Sequence, residues 1–272
     1  MPKGTFGVTT PIYYINAAPH LGTAYTTVAA DTIARYERMN GYDVSFVTGT
    51  DEHGQKIAET AEKNGMTPQA WCDSLAPAFT DAWKTLDIDY TNFVRTTEDR
   101  QTRAVQKFWQ DLYDKGWCYK GSYEGWYCVH EETYYAESDL EKNEDGEFVC
   151  PDCKRPVRYE SSGEENWFFK LSEFGDKLLA FYEENPDFIR PETRKNEIVS
   201  FVKSGLKDLS ISRSTFDWGV PLPFDEGHVA YVWADALLAY LTGIGYGDEG
   251  ERAGEFDARW PMQYHFVGKD IT

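Results

Sequence analysis

Positive charge is scarce in this chain of 272 residues: 27 Lys+Arg stand against 46 Asp+Glu, a formal net charge of −19. Proteins that hold nucleic-acid phosphates without regard to sequence carry a basic surface. The balance therefore argues against that class, against DNA as a partner and against an anionic membrane surface, although a local basic patch stays open. The acidity reads as solubility in a crowded cytosol. Long apolar runs are missing too. Ala236 to Leu241 is among the longest, far short of the ~20 residues of a spanning helix. Met1 to Thr10 has no apolar export segment, so the chain is expected to be cytoplasmic and free of membrane. Cysteine is sparse and odd in number, five in all, with two in Cys150-Pro-Asp-Cys153. Without an export signal that spacing points to metal more than to a disulfide. There is no internal repeat and no low-complexity tract. What is present is 41% hydrophobic and 16% aromatic content, enough to bury at least one core in one or two domains.

The first hundred residues alternate strand and helix. Phe6 to Thr10 reads as a strand, followed by the irregular Pro11 to Pro19. Leu21, Tyr25, Val28, Ala29, Ile33 and Tyr36 then recur at helical steps and predict the buried face of a helix that ends at Asn40-Gly41. Val44 to Thr48 is a buried-strand candidate and Gln55 to Lys63 a helix; Thr67-Pro68 opens another. A helix over Glu98 to Lys115 is expected to be capped by Thr97. This alternation implies an α/β fold, a parallel sheet with helices on its faces. Trp117 to Val157 is turn-rich and aromatic without helical period, a β-rich insertion. Helices resume near Glu173 to Glu184 and Thr193 to Lys203. His228 to Trp233 alternates as a strand, Ala236 to Leu241 reads as a helix, and Tyr264 to Val267 as a further strand.

Three stretches carry chemistry. Pro19-His20-Leu21-Gly22-Thr23 lies at a strand-to-helix junction, where free backbone N–H groups suit phosphate. Gly22 would allow close approach and His20 could donate to phosphate oxygens; taken alone, His20 is first of all a helix cap. Thr50 to Gly54 follows the second strand, where ligands of parallel sheets bind; Asp51 there could hold an ammonium or a ribose, or merely cap a turn. In Tyr231 to Tyr240, Trp233, Ala236, Leu237 and Tyr240 could wall an apolar pocket or form plain core.

Nine segments recur together in one family: Thr10 to Asn16, Pro19 to Gly22, Gly49 to Gly54, Phe93 to Thr97, Glu124 to Cys128, Leu209 to Arg213, Phe216 to Gly219, Tyr231 to Ala236 and Phe266 to Asp270. In that order and spacing, across essentially the whole chain, the sequence resembles the class I aminoacyl-tRNA synthetases, specifically the bacterial methionyl branch. The resemblance implies a Rossmann-type nucleotide-binding domain, residues 1–116 and 226–272, interrupted by an acceptor-side insertion, residues 117–225, with a zinc knuckle at about 128–153. It implies activation of methionine by ATP with Mg2+ and transfer to tRNA(Met). His20, Gly22 and Thr23 would then meet the ATP phosphates, with Thr23 standing where the family often has a second histidine. Gly268, Lys269 and Asp270 would hold the adenosine. Asp51 would take the methionine ammonium, while Ile12, Tyr14, Trp233, Ala236, Leu237, Tyr240 and Ile271 form the methionine pocket, with Arg213 as a polar neighbour. His20, Asp51 and Trp233 should accordingly converge on one cleft. An aromatic slot suits a polarizable thioether, at ~0.3–1.5 kcal/mol per sulfur–aromatic contact.

Zinc-bearing relatives have a second Cys-x2-Cys pair where this chain has Cys128-Val-His130-Glu131. Cys128, Cys150 and Cys153 with either His130 or Glu131 could complete a tetrahedron; the alternative is a degenerate knuckle. The family's lysine-rich signature and anticodon domain lie downstream of Thr272, so these 272 residues alone are expected to be a poor catalyst. Rival readings are a synthetase for leucine, isoleucine or valine, and a non-catalytic tRNA- or partner-binding protein derived from a synthetase. The short insertion and the Trp233 wall speak against the first.

Overall fold

The computed structural model describes residues 2–122, 125–131, 133–135, 137–143, 145–160 and 165–268. Its first part runs β1 (Thr5–Thr9), β2 (Tyr13–Tyr14), α1 (Leu21–Met39), β3 (Asp43–Asp51), α2 (Gln55–Lys63), α3 (Pro68–Thr85), β4 (Asn92–Arg95) and α4 (Asp99–Asp114). The insertion follows: β5 (Cys118–Ser122), β6 (Gly125–Cys128), β7 (Thr133–Tyr135), β8 (Glu141–Lys142), β9 (Phe148–Val149), β10 (Arg158–Glu160) and β11 (Glu165–Phe169), then α5 (Gly175–Glu184) and α6 (Glu192–Lys203). The chain returns through β12 (Leu209–Ser210), β13 (Ser212–Arg213), β14 (Pro221–Leu222) and β15 (Asp225–Ala230) to α7 (Val232–Ala236), α8 (Ala239–Thr242), α9 (Glu255–Arg259) and β16 (Tyr264–His265).

The central sheet is parallel. β1 lies between β16 and β3, and β4 pairs with the far edge of β3. β2 continues the line of β1 along β3, Tyr13 opposite Thr50 and Tyr14 opposite Asp51. Strand order thus reverses at β1, with β3 and β4 on one side and the late strand β16 parallel to it on the other, the kind of switch point at whose strand ends ligands of doubly wound sheets bind. Period-two alternation sorts β3 between two faces. Val44 and Phe46 pack with Phe6 and Val8 on Ala30 and Ala34 of α1, whereas Val47 joins Val94, Ala239 and Ile244 on the opposite side. β3 and β4 approach so closely at Gly49 that a Cβ there would stand 2.0 Å from the Val94 carbonyl oxygen.

Two expectations need correction here. α1 exists, but most of the large side chains of its stripe face outward: Leu21 is 89% exposed and Tyr25 80%, while Ile33 packs against the sheet. The buried residues are Thr27, Ala30, Asp31 and Ala34. Small side chains let the helix lie close on the sheet. Asp31 is tolerated there because its carboxylate accepts from Arg35 Nε at 2.6 Å and from the Asp89 N–H at 2.8 Å. Thr97 does not cap α4; its hydroxyl donates to Glu52 at 2.6 Å, and Glu98 stands at the N-cap without a side-chain bond. Thr67 does cap α3, accepting from the Ala70 N–H at 3.2 Å.

The insertion forms short antiparallel sheets, β5–β11–β12 and β7–β6–β10, with β8–β9 beside them. It is tied back to the main body by one core that joins Trp109 of α4, Cys118, Trp167, Ile211 and Leu238. Among the described residues no helix is long and apolar enough to cross a membrane.

Candidate functional site

α1 begins at an unusual cap. His20 has extended backbone (φ −130°), and its Nδ1 accepts from the Gly22 N–H at 3.0 Å. Thr23 closes a reciprocal box: its hydroxyl donates to the His20 carbonyl at 2.7 Å and accepts from the His20 N–H at 3.0 Å. A neutral imidazole that accepts through Nδ1 carries its proton on Nε2, so the free edge of the exposed ring is a donor. Gly22 is required for this pose, since a Cβ on it would meet His20 Cε1 at 2.9 Å.

A cleft of about 260 Å³ opens beside the ends of β2 and β3. Its walls are Tyr14 of β2 with Pro11, Ile12 and Asn16 on either side of that strand, Asp51 and Lys56 from the β3–α2 junction, and Val232, Trp233, Ala236, Leu237 and Tyr240 from the α7–α8 region. His130 and Glu131 of the insertion complete it. Ile12, Tyr14, Asp51, Trp233, Ala236, Leu237 and Tyr240 are therefore brought together as the sequence suggested. The α7–α8 wall is two short helices rather than one. Its Tyr240 hydroxyl accepts from the Ile12 N–H at 3.3 Å, and burial pushes that phenol up to about 12. Lys56 lies 5.3 Å from the Tyr14 ring centroid. So the cleft lining combines apolar and aromatic side chains with the charged side chains of Asp51, Lys56 and Glu131.

Other expected residues lie elsewhere. His20 is not in the cleft lining; it sits four positions beyond Asn16, which is. Arg213 is buried off the lining, its guanidinium 4.2 Å from the Tyr231 ring centroid and bonded to the Ser210 hydroxyl and Ser212 carbonyl. Gly268 lies just beyond β16 and outside the lining. Lys269, Asp270 and Ile271 fall outside the described residues. Sequence reasoning missed Pro11, Asn16, Lys56 and Val232; the adjacency of the first two to Ile12 and Tyr14 was the available signal. A larger, open depression of about 450 Å³ along Ser214–Asp217 and Glu226–Val229 contains none of the expected residues.

Beneath Asp51 the carboxylate of Glu52, fully buried, is held by Arg95 Nε at 2.7 Å and Nη2 at 2.9 Å and by the hydroxyls of Thr50 and Thr97. A buried carboxylate needs such full pairing. It fixes the strand end from which Asp51 projects.

In the insertion, the ligand atoms of Cys128, Cys150 and Cys153 lie within 4.8 Å of one another, and so do those of His130, Glu131 and Cys153. Cys128 and Cys153 sulfurs are 3.6 Å apart, close to the ~3.8 Å edge that two thiolates ~2.3 Å from a tetrahedral zinc would span. Burial pushes the Cys128 thiol up to about 12. At Cys150 burial is outweighed by backbone hydrogen bonds and by the Tyr135 hydroxyl, which draw the thiol below its ordinary value. His130 Nδ1 is bonded to Glu131 at 2.7 Å, so either could supply a fourth ligand. The donor set fits a zinc ion.

Comparison with known proteins adds the following. The family model described as tRNA synthetases class I (M) matches residues 6–272. The methionine–tRNA ligase of Streptomyces coelicolor is 56% identical over 268 residues, 97% of this chain and 49% of the relative. That of Caldanaerobacter subterraneus subsp. tengcongensis is 53% identical over 270 residues, 99% of this chain and 41% of the relative. The chain thus spans about half the length of the curated relatives it matches. Among solved structures, Mycobacterium tuberculosis methionyl-tRNA synthetase in complex with methionyl-adenylate superposes with a TM-score of 0.93 at 44% identity, covering 98% of this chain and 52% of that one. The apo form from the same organism matches with a TM-score of 0.82 at 41% identity, over 98% and 50%.

Proposed function

Because the chain belongs to the class I (M) tRNA synthetase family, we propose that it is the methionine-activating part of a methionine–tRNA ligase. The observation that carries this is the single cleft in which Asp51 faces the wall of Trp233, Ala236, Leu237 and Tyr240. In this reading the Asp51 carboxylate receives the methionine ammonium. Ile12, Tyr14 and the α7–α8 wall take the thioether, with Ile271 joining them and Arg213 backing Tyr231. Methionine's carboxylate attacks the α-phosphate of ATP, giving methionyl-adenylate and pyrophosphate; the acyl group then passes to the 3′ end of tRNA(Met). No side-chain nucleophile is needed, so rate comes from alignment and from donors aimed at developing charge. His20 Nε2, presented by the Gly22–Thr23 turn, meets the phosphates, whose charge Mg2+ would neutralise, and Gly268, Lys269 and Asp270 hold the adenosine. Residues 1–116 and 226–272 form the catalytic domain, and 117–225 the acceptor-side insertion.

Titration calorimetry tests this. Methionine is expected to bind at least ~10-fold more tightly than leucine, isoleucine or valine. Asp51→Asn should weaken methionine by ~10-fold or more, the size of a lost charge-assisted hydrogen bond, while leaving ATP within about twofold. Tighter binding of a branched aliphatic amino acid than of methionine would refute the assignment.

Cys128, Cys150 and Cys153 with His130 or Glu131 would hold one zinc ion, which would brace the β6–β7 turn that reaches the cleft. Protein purified without chelator should contain about one equivalent of zinc by elemental analysis, and Cys150→Ser should abolish it. A metal-free wild type that binds no added zinc would remove the ion from the scheme.

A further inference from the structure

Behind the amino-acid wall lies a buried polar chain that the reaction itself does not use. His53 Nδ1 and Asp235 Oδ2 are 2.6 Å apart, with the Asp235 side chain fully buried and that of His53 8% exposed. Gln101 donates through Nε2 to Asp235 Oδ1 at 2.8 Å and to its carbonyl at 2.9 Å. The Gln101 oxygen in turn accepts from the Thr242 hydroxyl at 2.6 Å. The imidazole is pre-oriented, standing edge-on to the Trp218 ring with centroids 5.2 Å apart. Trp218 is itself pinned, its Nε1 donating to the Glu52 carbonyl at 2.7 Å.

The positions of these groups matter more than their number. α7 is five residues long and has no side-chain cap, so its own hydrogen bonds hold it weakly. Its front carries Trp233 and Ala236 into the cleft; its back carries Asp235. α4 grips it through Gln101 and through Trp109 Nε1, which donates to the Ala234 carbonyl at 2.8 Å. His53 is different, because it lies two residues after Asp51 on the same strand end. The bond from His53 to Asp235 therefore directly joins the element bearing the ammonium site to the element bearing the side-chain wall. We infer that the His53–Asp235 pair is a positioning device that sets the width of the amino-acid slot and hence its discrimination between side chains of different length. A hydrophobic slot separates one methylene by only ~1–3 kcal/mol, so a small relaxation of α7 would erase much of it.

The inference rests on the methionine reading above, and the test separates the two. Affinities for methionine, for ethionine, which is longer by one methylene, and for ATP are measured by calorimetry on wild type, His53→Phe, His53→Gln and Asp235→Asn, with thermal midpoints alongside. Wild type should prefer methionine to ethionine by roughly 10-fold or more; failure of wild type to bind methionine would instead defeat the functional assignment. His53→Phe keeps bulk and loses the bond, and should shrink that preference by about fivefold while ATP affinity stays within about twofold. His53→Gln retains an N–H that can reach Asp235 and should restore most of the preference. If His53→Phe does not fold, Asp235→Asn, which weakens the charged bond with little change of shape, carries the comparison. An unchanged methionine-to-ethionine ratio in the folded variants would overturn the inference, even if overall affinity or thermal stability fell, since loss of stability alone does not change a ratio.

Discussion

At the scale of single residues, the start of α1 depends on an atom that is absent. His20 folds back over Gly22, and the ring occupies the space a Cβ would need. Gly22→Ala should therefore split two properties that usually move together. Alanine favours a helix over glycine by ~1 kcal/mol, so the thermal midpoint should hold or rise. The displaced imidazole should meanwhile lower ATP affinity by about 10-fold, or ~1.4 kcal/mol. Calorimetry beside a melting curve checks both, and equal ATP affinity in the two proteins would show that the ring's pose is irrelevant to phosphate. The sequence named His20, Gly22 and Thr23 as a phosphate-facing junction. It did not reveal the ring folded on its own helix, because that depends on rotamer and backbone angle rather than on residue type.

At the scale of elements, the packing of β15 on β5 and β11 is sensitive to acid. Asp225, the first residue of β15, accepts from Lys120 of β5 at 2.8 Å and from Trp167 Nε1 of β11 at 2.9 Å. Lys120 foremost, with Trp167 helping, holds its carboxyl down to about 2. A carboxyl lowered on folding contributes stability above its unfolded value of ~3.9 and loses it as the pH falls toward the folded value. Urea midpoints should thus decline between about pH 4 and pH 2, with Asp225 accounting for ~1 kcal/mol after screening by solvent. In Asp225→Asn that part of the slope should vanish; an unaltered slope would assign the acid sensitivity to other carboxylates. Elements were the most legible level in the sequence: α2 and α6 stand within a residue of their expected limits, α3 begins at the expected Thr67-Pro68, and β3 runs three residues past Thr48 to Asp51. The face of α1 was not legible. Its large side chains suggested core, but close packing on the sheet selects for Thr27, Ala30 and Ala34, which carry little hydrophobic signal. Likewise Thr97 looked like a cap, yet the buried Glu52 carboxylate claims its hydroxyl.

For the whole molecule, a net charge of −19 on 272 residues opposes compaction by self-repulsion. Raising ionic strength from 0.01 to 0.15 M shortens the screening length from ~30 to ~8 Å. The thermal midpoint should rise by a few degrees over that range, and a fall would mean that ion pairs such as Arg95–Glu52 outweigh the repulsion. The parallel sheet was readable from alternation of strand and helix. Its order, with β1 flanked by β16 and β3, was not, since nothing local in Tyr264–His265 says which distant strand it joins. The cleft was legible only through the family resemblance. Trp233 and Ala236 have spacing that fits interior packing equally well, and only the coordinates bring them opposite Asp51.

The narrow gap at Gly49 has a consequence for how β3 and β4 can be aligned. Because the carbonyl of Val94 fills the place of a side chain, only a residue without one can stand there. The neighbours on either side are Thr48 and Thr50. Either threonine, set at the same approach to that oxygen, would bring a Cβ into it, so the observed pairing of Gly49 with Val94 is favoured over its neighbours. One missing methyl thereby acts as an alignment key, and the level at which Asp51 leaves the sheet is set when β3 and β4 first zip together.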